Sequence, residues 1–297
     1  MAYELIDGKA IAAEIQGELA GRIEDLVARG HRPGLAVVLV GENPASVSYV
    51  TAKEKDCEIV GINSFDHRLD ASITEEELLS LVDQLNNDPA VDGILVQLPL
   101  PRHIDSDRIL QSLRPEKDVD GFLPLSLGKM ITGLPTLLPC TPHGVVQMLQ
   151  RSGNDPAGKH VVIVGRSNIV GKPLANLLSL KAPGGNATVT VCHSRTPHIK
   201  EFTRRADILV AAIGSAGFIT AEMVQKGVVV IDVGVNRVED SSRKRGYRLV
   251  GDVEFETVAP KSAAITPVPG GVGPMTTTML LFNTVTAAER RGETGWN

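Results

Sequence analysis

Tyr49 and Lys53 stand four residues apart in a segment of helical character, so a phenol and an amine share one helix face. Such a lysine can snorkel to water over its own apolar stem or present an amine to a substrate, and spacing alone is compatible with both. Gln97 closes the apolar run Val91-Asp-Gly-Ile-Leu-Val-Gln-Leu98, directly before Pro99-Leu-Pro101. A glutamine ending a buried strand needs hydrogen-bond partners, which a ligand or a reacting water can supply. Pro115-Glu-Lys-Asp-Val-Asp-Gly-Phe122 offers two acids, Asp118 and Asp120. A D-x-D pair could bind a divalent cation, but no third ligand, His or Glu, has the spacing to complete the site; an acid that accepts from ligand N–H groups fits better. The 7 histidines are scattered, and His193 and His198 flank Pro197 without forming a helical pair, so no metal site is expected.

A second group of signals suits a dinucleotide. Gly165-Arg-Ser-Asn-Ile-Val-Gly171 follows an apolar run and precedes a helix, an arrangement that brings backbone N–H groups and a positive helix terminus to a pyrophosphate. The spacing departs from G-x-G-x-x-G, and a tight strand-to-helix turn is the structural alternative. The next strand ends in Cys192-His-Ser-Arg-Thr196, where a dinucleotide fold specific for NAD would carry an acid. Ser194 and Arg195 instead suit a 2′-phosphate, with Arg166 adding charge from the first loop, which favours NADP; a solvated loop cation is the alternative for Arg195. Two more apolar runs end in Gly214 and Gly234, the latter followed by Val235. The stretch Ile265-Thr-Pro-Val-Pro-Gly-Gly-Val-Gly-Pro-Met-Thr276, dense in glycine and proline, lets backbone approach a flat ligand closely.

Alternating apolar runs and helical periodicity predict an α/β fold with a mainly parallel sheet: two α/β domains, the second a Rossmann-like dinucleotide-binding domain. Helices are expected over residues 9–29, stopped by Gly30, and from Asn43 to about Gly61. A further helix opens at the capping box Thr74-Glu-Glu-Glu77. Strands are expected over 34–41 and 91–98. After a proline-punctuated stretch, a helix runs from Thr141 to about Gly153. Strands at 159–165, 187–193, 207–214 and 227–233 follow, with a helix from about Val170. Residues 239–248 read as a charged excursion. A last helix over 273–291 is expected to return to the first block, giving domains of 1–140 with 274–297, and 141–273.

Composition narrows the class. The 297 residues suit about two domains at ~150 residues each. A net charge of −5 and 3% aromatics make a poor sequence-general nucleic-acid binder, which wants cationic grooves and stacking rings. No apolar run approaches the ~18 residues of a membrane helix, and the acidic start is unlike a signal peptide. Three cysteines far apart suit buried thiols in a reduced, cytosolic protein. Glycine, at 29 residues, is about 10% of the chain against a usual ~7%, so backbone must repeatedly turn tightly or approach something.

Taken together, the segments closely resemble the bifunctional methylenetetrahydrofolate dehydrogenase/methenyltetrahydrofolate cyclohydrolase family. The likeness rests on Tyr49-x-x-x-Lys53, the run from Val91 to Pro101, Lys117-Asp-Val-Asp-Gly121, the run from Gly165 to Gly171 and the highly specific stretch from Thr266 to Thr276. It spans almost the whole chain; the departures, a glycine-rich 181–186 and the charged 239–248, lie away from the motifs. The resemblance implies that Lys53 is catalytic with Tyr49 and Gln97 beside it, and that Asp120 holds the pterin. Leu98, Pro269, Gly270 and Gly273 would complete the folate site. Gly165, Arg166, Ser167, Ser194, Arg195 and Val235 would contact NADP. It also implies a cytoplasmic homodimer acting on tetrahydrofolate derivatives for purine, histidine and methionine biosynthesis, with no nucleic-acid or membrane partner. From the residues alone, an NADP-dependent dehydrogenase of another small substrate and a dinucleotide-sensing module without catalysis stay open.

Overall fold

The structure, a computed structural model, describes residues 3–243 and 246–291; the side chains of Pro44, Ala45, Ser48, Tyr49 and Ala52 also lie outside the description. In chain order the elements begin β1 (Glu4–Leu5), α1 (Gly8–Ala28), β2 (Gly34–Val40), α2 (Pro44–Val60), β3 (Asn63–Leu69), α3 (Glu75–Asn87), β4 (Gly93–Val96), α4 (Ser106–Gln111) and α5 (Pro124–Ile131). They continue α6 (Cys140–Arg151), β5 (His160–Val164), α7 (Gly171–Ser179), β6 (Thr188–Cys192), α8 (Ile199–Thr203), β7 (Ile208–Ala211) and β8 (Val228–Asp232). The rest are β9 (Asn236–Glu239), β10 (Tyr247–Val250), α9 (Phe255–Val258), β11 (Ser262–Ile265) and α10 (Val272–Glu289). Two compact units result: Met1–Ala13 with Thr141–Thr276, and Glu14–Cys140 with Thr277–Asn297.

The second of these, the three-stranded unit, is built on a parallel sheet in the order β3-β2-β4. Central β2, Gly-Leu-Ala-Val-Val-Leu-Val, is buried at every position, as a strand covered on both faces must be, and so reads as an unbroken apolar run. Its neighbour β3, Asn-Ser-Phe-Asp-His-Arg-Leu, is a polar edge strand with half of its side chains toward water, and it escaped the apolar-run criterion for that reason. Helix α3 turns Leu78, Val82 and Leu85 onto the sheet, where they pack with Val38, Val40, Ile94 and Val96. Its start is fixed by a capping box: Glu77 N–H donates to Thr74 Oγ1 at 3.2 Å and Thr74 N–H donates to the Glu77 carboxylate at 2.9 Å. Such a cap contributes about 1 kcal/mol.

The six-stranded unit carries a wholly parallel sheet in the order β1-β11-β8-β7-β5-β6. Val162, Val164, Leu209, Ala211, Val228 and Val230 form its aliphatic core with Ile265. The strand order reverses at β5, which lies between β6 and β7, and open α/β sheets bind ligands at the carboxyl ends flanking such a reversal. The charged stretch falls at a β9–β10 antiparallel pair, Tyr247 opposite Glu239, with the Arg237 guanidinium 4.9 Å from the Tyr247 ring centroid. One boundary differs from the expected division of 1–140 with 274–297. Residues 3–13 go with the six-stranded unit, because β1 pairs in parallel with β11 and Ile6 N–H donates to Ile265 O at 2.9 Å. At the other end the division falls inside α10, after Thr276.

Candidate active site

Asn43 accepts from Ser46 N–H at 3.3 Å and starts α2, which carries Lys53 at mid-helix. Tyr49 lies one turn earlier on the same helix, but its side chain is outside the described residues. Gln97 follows β4, its backbone N–H still donating to Val38 O at 2.9 Å, so the strand's pairing reaches one residue into the loop. The Gln97 amide donates from Nε2 to Leu98 O at 2.8 Å, which leaves Oε1 facing the Lys53 amine. Lys53 Nζ donates to it at 3.2 Å. Burial pulls the Lys53 pKa below that of an ordinary lysine; the Asp120 carboxylate opposes this but does not overcome it. Leu98 itself is 40% exposed and precedes a cis peptide bond to Pro99.

The two acids of the Lys117-Asp-Val-Asp-Gly121 motif have different roles. A bridge between Ile94 and Asp118 lays this segment alongside β4, and Asp118 turns inward. Its carboxylate accepts from the N–H groups of Gly121 (3.2 Å), Phe122 (3.3 Å) and Leu123 (2.9 Å) and from Ser126 Oγ (3.0 Å). Asp118 therefore closes the turn into α5. Asp120 keeps its carboxylate free of such bonds among the described residues. Burial raises its pKa to about 6, the Lys53 ammonium pulling the other way. Val119 between them is clamped: its carbonyl accepts from Asn283 Nδ2 at 2.7 Å and from the Cys140 thiol at 3.2 Å. Burial pushes Cys57, one turn beyond Lys53, up to about 12, and Cys140 well above the usual thiol range. Both stay protonated, so neither is a nucleophile.

In the six-stranded unit, Gly165 ends β5 at φ 140°, a conformation that L side chains avoid, and a Cβ there would run into the Ala212 carbonyl. Gly171 opens α7 directly against the Gly165 carbonyl, where a Cβ would likewise collide. Ser167 Oγ accepts from Val170 N–H at 3.1 Å and so closes the turn that leads into α7. At the end of β6, His193 N–H donates to Thr196 Oγ1 at 2.9 Å and Arg195 N–H to His193 Nδ1 at 3.1 Å, a tight turn that leaves Ser194 and Arg195 exposed. Arg166 is exposed as well. A bare backbone cradle, a helix N-terminus, two guanidinium groups and no carboxylate in the β6 turn fit a dinucleotide that bears a 2′-phosphate. Val235, 53% exposed, follows β8. Pro269, after a cis bond, and Gly270, at φ 105°, lie between β11 and α10, and Gly273 is in the first turn of α10. These three belong to the six-stranded unit, whereas Tyr49, Lys53, Gln97, Leu98 and Asp120 belong to the three-stranded one.

Sequence reasoning passed over Asp232 and Asp252, both buried in the six-stranded unit, and Asn283. The available signal was an acid ending the apolar run Val229-Val-Ile-Asp232, read only as a glycine-terminated strand. Among the described residues no group of three or more His, Cys, Asp or Glu side chains is placed to hold a metal ion.

Two family models match most of the chain. Residues 6–120 match the tetrahydrofolate dehydrogenase/cyclohydrolase catalytic domain, and residues 139–292 match the NAD(P)-binding domain of the same family. The chain belongs to the tetrahydrofolate dehydrogenase/cyclohydrolase family. A bifunctional protein FolD from Brevibacillus brevis is 54% identical over 293 residues, spanning 99% of this chain and 100% of the relative. The FolD of Bacillus subtilis is 54% identical over 98% of this chain and 99% of its own. Among solved structures, the Trypanosoma brucei methylenetetrahydrofolate dehydrogenase-cyclohydrolase, complexed with NADP cofactor and inhibitor, superposes with a TM-score of 0.92 at 42% identity. That match covers 99% of this chain and 100% of the other. A Campylobacter jejuni FolD gives 0.91 at 49% identity, over 98% and 100%.

Proposed function

We propose that the chain carries out two consecutive reactions on one folate: NADP-dependent oxidation of 5,10-methylenetetrahydrofolate to 5,10-methenyltetrahydrofolate, then hydrolysis of that cation to 10-formyltetrahydrofolate. NADP, when bound, accepts the hydride from the methylene carbon. The folate N5 and N10 lone pairs drive that loss, so orientation is what the chain must supply, an effective-molarity contribution. Gly165, Arg166, Ser167, Ser194, Arg195 and Val235 hold the dinucleotide in this reading. Leu98, Pro269, Gly270 and Gly273 line the folate, Tyr49 stacks on it, and Asp120 accepts from the pterin amino group and ring N–H.

Hydrolysis asks more of side chains, because water must lose a proton as it attacks the methenyl carbon. Lys53 can take that proton only as a neutral amine. Burial already favours the neutral form, and a cationic substrate nearby favours it further. Gln97 Oε1 accepts one amine hydrogen and so orients the nitrogen, which leaves its lone pair for the water. The observation that carries the reading is this pair: a half-buried lysine of lowered pKa, aligned by an amide whose other end is itself tied down.

Mixing the protein with NADP⁺ and methylenetetrahydrofolate tests it. NADPH should form, and methenyl absorbance should then decay faster than in buffer; an inert mixture refutes the reading. We place the protein in the cytoplasm, supported by three free, buried cysteines, and as a homodimer, supported by the family resemblance. Gel filtration with light scattering checks the dimer. Among the described residues no helix is long and apolar enough to cross a membrane.

A further inference from the structure

The cofactor reading of the six-stranded unit uses groups at its surface and leaves its most buried acids unassigned. Asp232, the last residue of β8, is 4% exposed; Asp252, two residues beyond β10, is 0% exposed. Asp252 Oδ2 accepts from Ile213 N–H at 2.6 Å and Gly214 N–H at 2.9 Å, and its Oδ1 from Ser215 N–H and Asn236 Nδ2, both at 2.9 Å. Asp232 Oδ1 accepts from Gly234 N–H and from Asp252 N–H, each at 3.0 Å, and its Oδ2 from Val253 N–H at 2.9 Å. Asp232 N–H in turn donates to Thr266 Oγ1 at 2.8 Å.

The packing is reciprocal. A Cβ on Gly234 would strike the Asp252 carboxyl, and a Cβ on Gly251 would strike that of Asp232. Each acid is thus covered by a glycine from the other's segment. Three segments meet at the two carboxylates, 213–215 after β7, 234–236 after β8 and 252–253 after β10, while Thr266, at the head of the Pro269–Gly273 stretch, holds the Asp232 backbone N–H. The first two leave the sheet at carboxyl ends, where a dinucleotide lies in such folds. Val235 is held on both sides, by the Gly234 N–H on Asp232 and the Asn236 amide on Asp252.

We propose that Asp252 and Asp232 form a positioning pair that sets the backbone of 213–215 and 233–236 for NADP without touching it. The proposal rests on the functional reading above, and a bifunctional enzyme contains its own control, because hydrolysis of supplied methenyltetrahydrofolate consumes no dinucleotide. The full-length chain is compared with Asp252→Asn and Asn236→Ala for dehydrogenase KM toward NADP⁺, NADP⁺ affinity by calorimetry, and cyclohydrolase rate. Asp252→Asn should raise the KM and Kd for NADP⁺ about tenfold or more, in line with the cost of a misplaced binding loop, with cyclohydrolase turnover within a factor of about two. Asn236→Ala, which removes one donor and leaves the carboxylate in place, should shift them about threefold in the same direction and decides the matter if Asp252→Asn does not fold. Equal losses in both activities, or an unchanged NADP⁺ affinity, overturn the pair. If the parent chain fails to oxidise methylenetetrahydrofolate, the functional reading falls instead, and the calorimetry still judges the pair.

Discussion

The two units solve different problems with different parts of the chain. The three-stranded unit presents side chains whose protonation burial has altered: Lys53 lowered, Asp120 raised to about 6. The six-stranded unit presents mostly backbone, as at Gly165 and Gly171, with exposed hydroxyl and guanidinium groups around it. Proton transfer needs a perturbed acid or base, whereas holding a phosphate needs N–H groups and fixed positive charge. In the proposed reading the lowered lysine serves proton transfer, while exposed backbone and cations serve the dinucleotide.

Breaking each unit in turn sharpens that contrast. Asp118→Ala would strip four donors of their acceptor inside the three-stranded unit. Unfolding in urea should show a loss of about 3 kcal/mol or more, while Asp120→Asn, two residues away, should cost little stability and weaken folate binding instead. A similar loss in both variants would contradict the division of labour between the two acids. In the other unit, Arg195→Ala should weaken NADP⁺ about ten- to fiftyfold and leave NAD⁺ nearly untouched, since the guanidinium is assigned to the 2′-phosphate. Steady-state KM values for both dinucleotides check this, and equal weakening would remove the assignment.

A pH series separates the units without mutation. Asp120 is ionised above about 6; in the proposed reading its carboxylate takes two pterin N–H groups, and protonation turns one of those acceptor oxygens into a donor. Folate KM should therefore be flat above that pH and rise by up to about tenfold per unit below it. In Asp120→Asn the rise should vanish, and a slope that persists would assign it elsewhere. Smallest of all, Thr74→Ala should lower stability by about 1 kcal/mol through the α3 cap and leave both activities alone.

How much of this was readable before the fold was known depended on the kind of signal. Central strands such as β2 and β8 are continuous apolar runs, and the Thr74 capping box is a local pattern, so each is visible in a short window. Strand β3 is polar because it sits at a sheet edge, and β1 is two residues long, so neither carries a pattern. Lys53 and Gln97 could be picked out by residue type, but their contact joins positions 44 apart in sequence and needs the β2–β4 pairing. Asp118 and Asp120 look alike in a D-x-D; only the path of the chain turns one inward. Asp252 lies past the charged 239–248 stretch and gave no sign that four N–H groups converge on it.

Lys53→Met tests the central claim most directly. With NADP⁺ and methylenetetrahydrofolate, the variant should still form NADPH within a few-fold of the parent rate, while methenyltetrahydrofolate accumulates because its hydrolysis has slowed about 10²- to 10⁴-fold, the usual contribution of a general base. Methenyl absorbance that decays as fast as in the parent would contradict the assignment of Lys53 as the group that takes the proton from water.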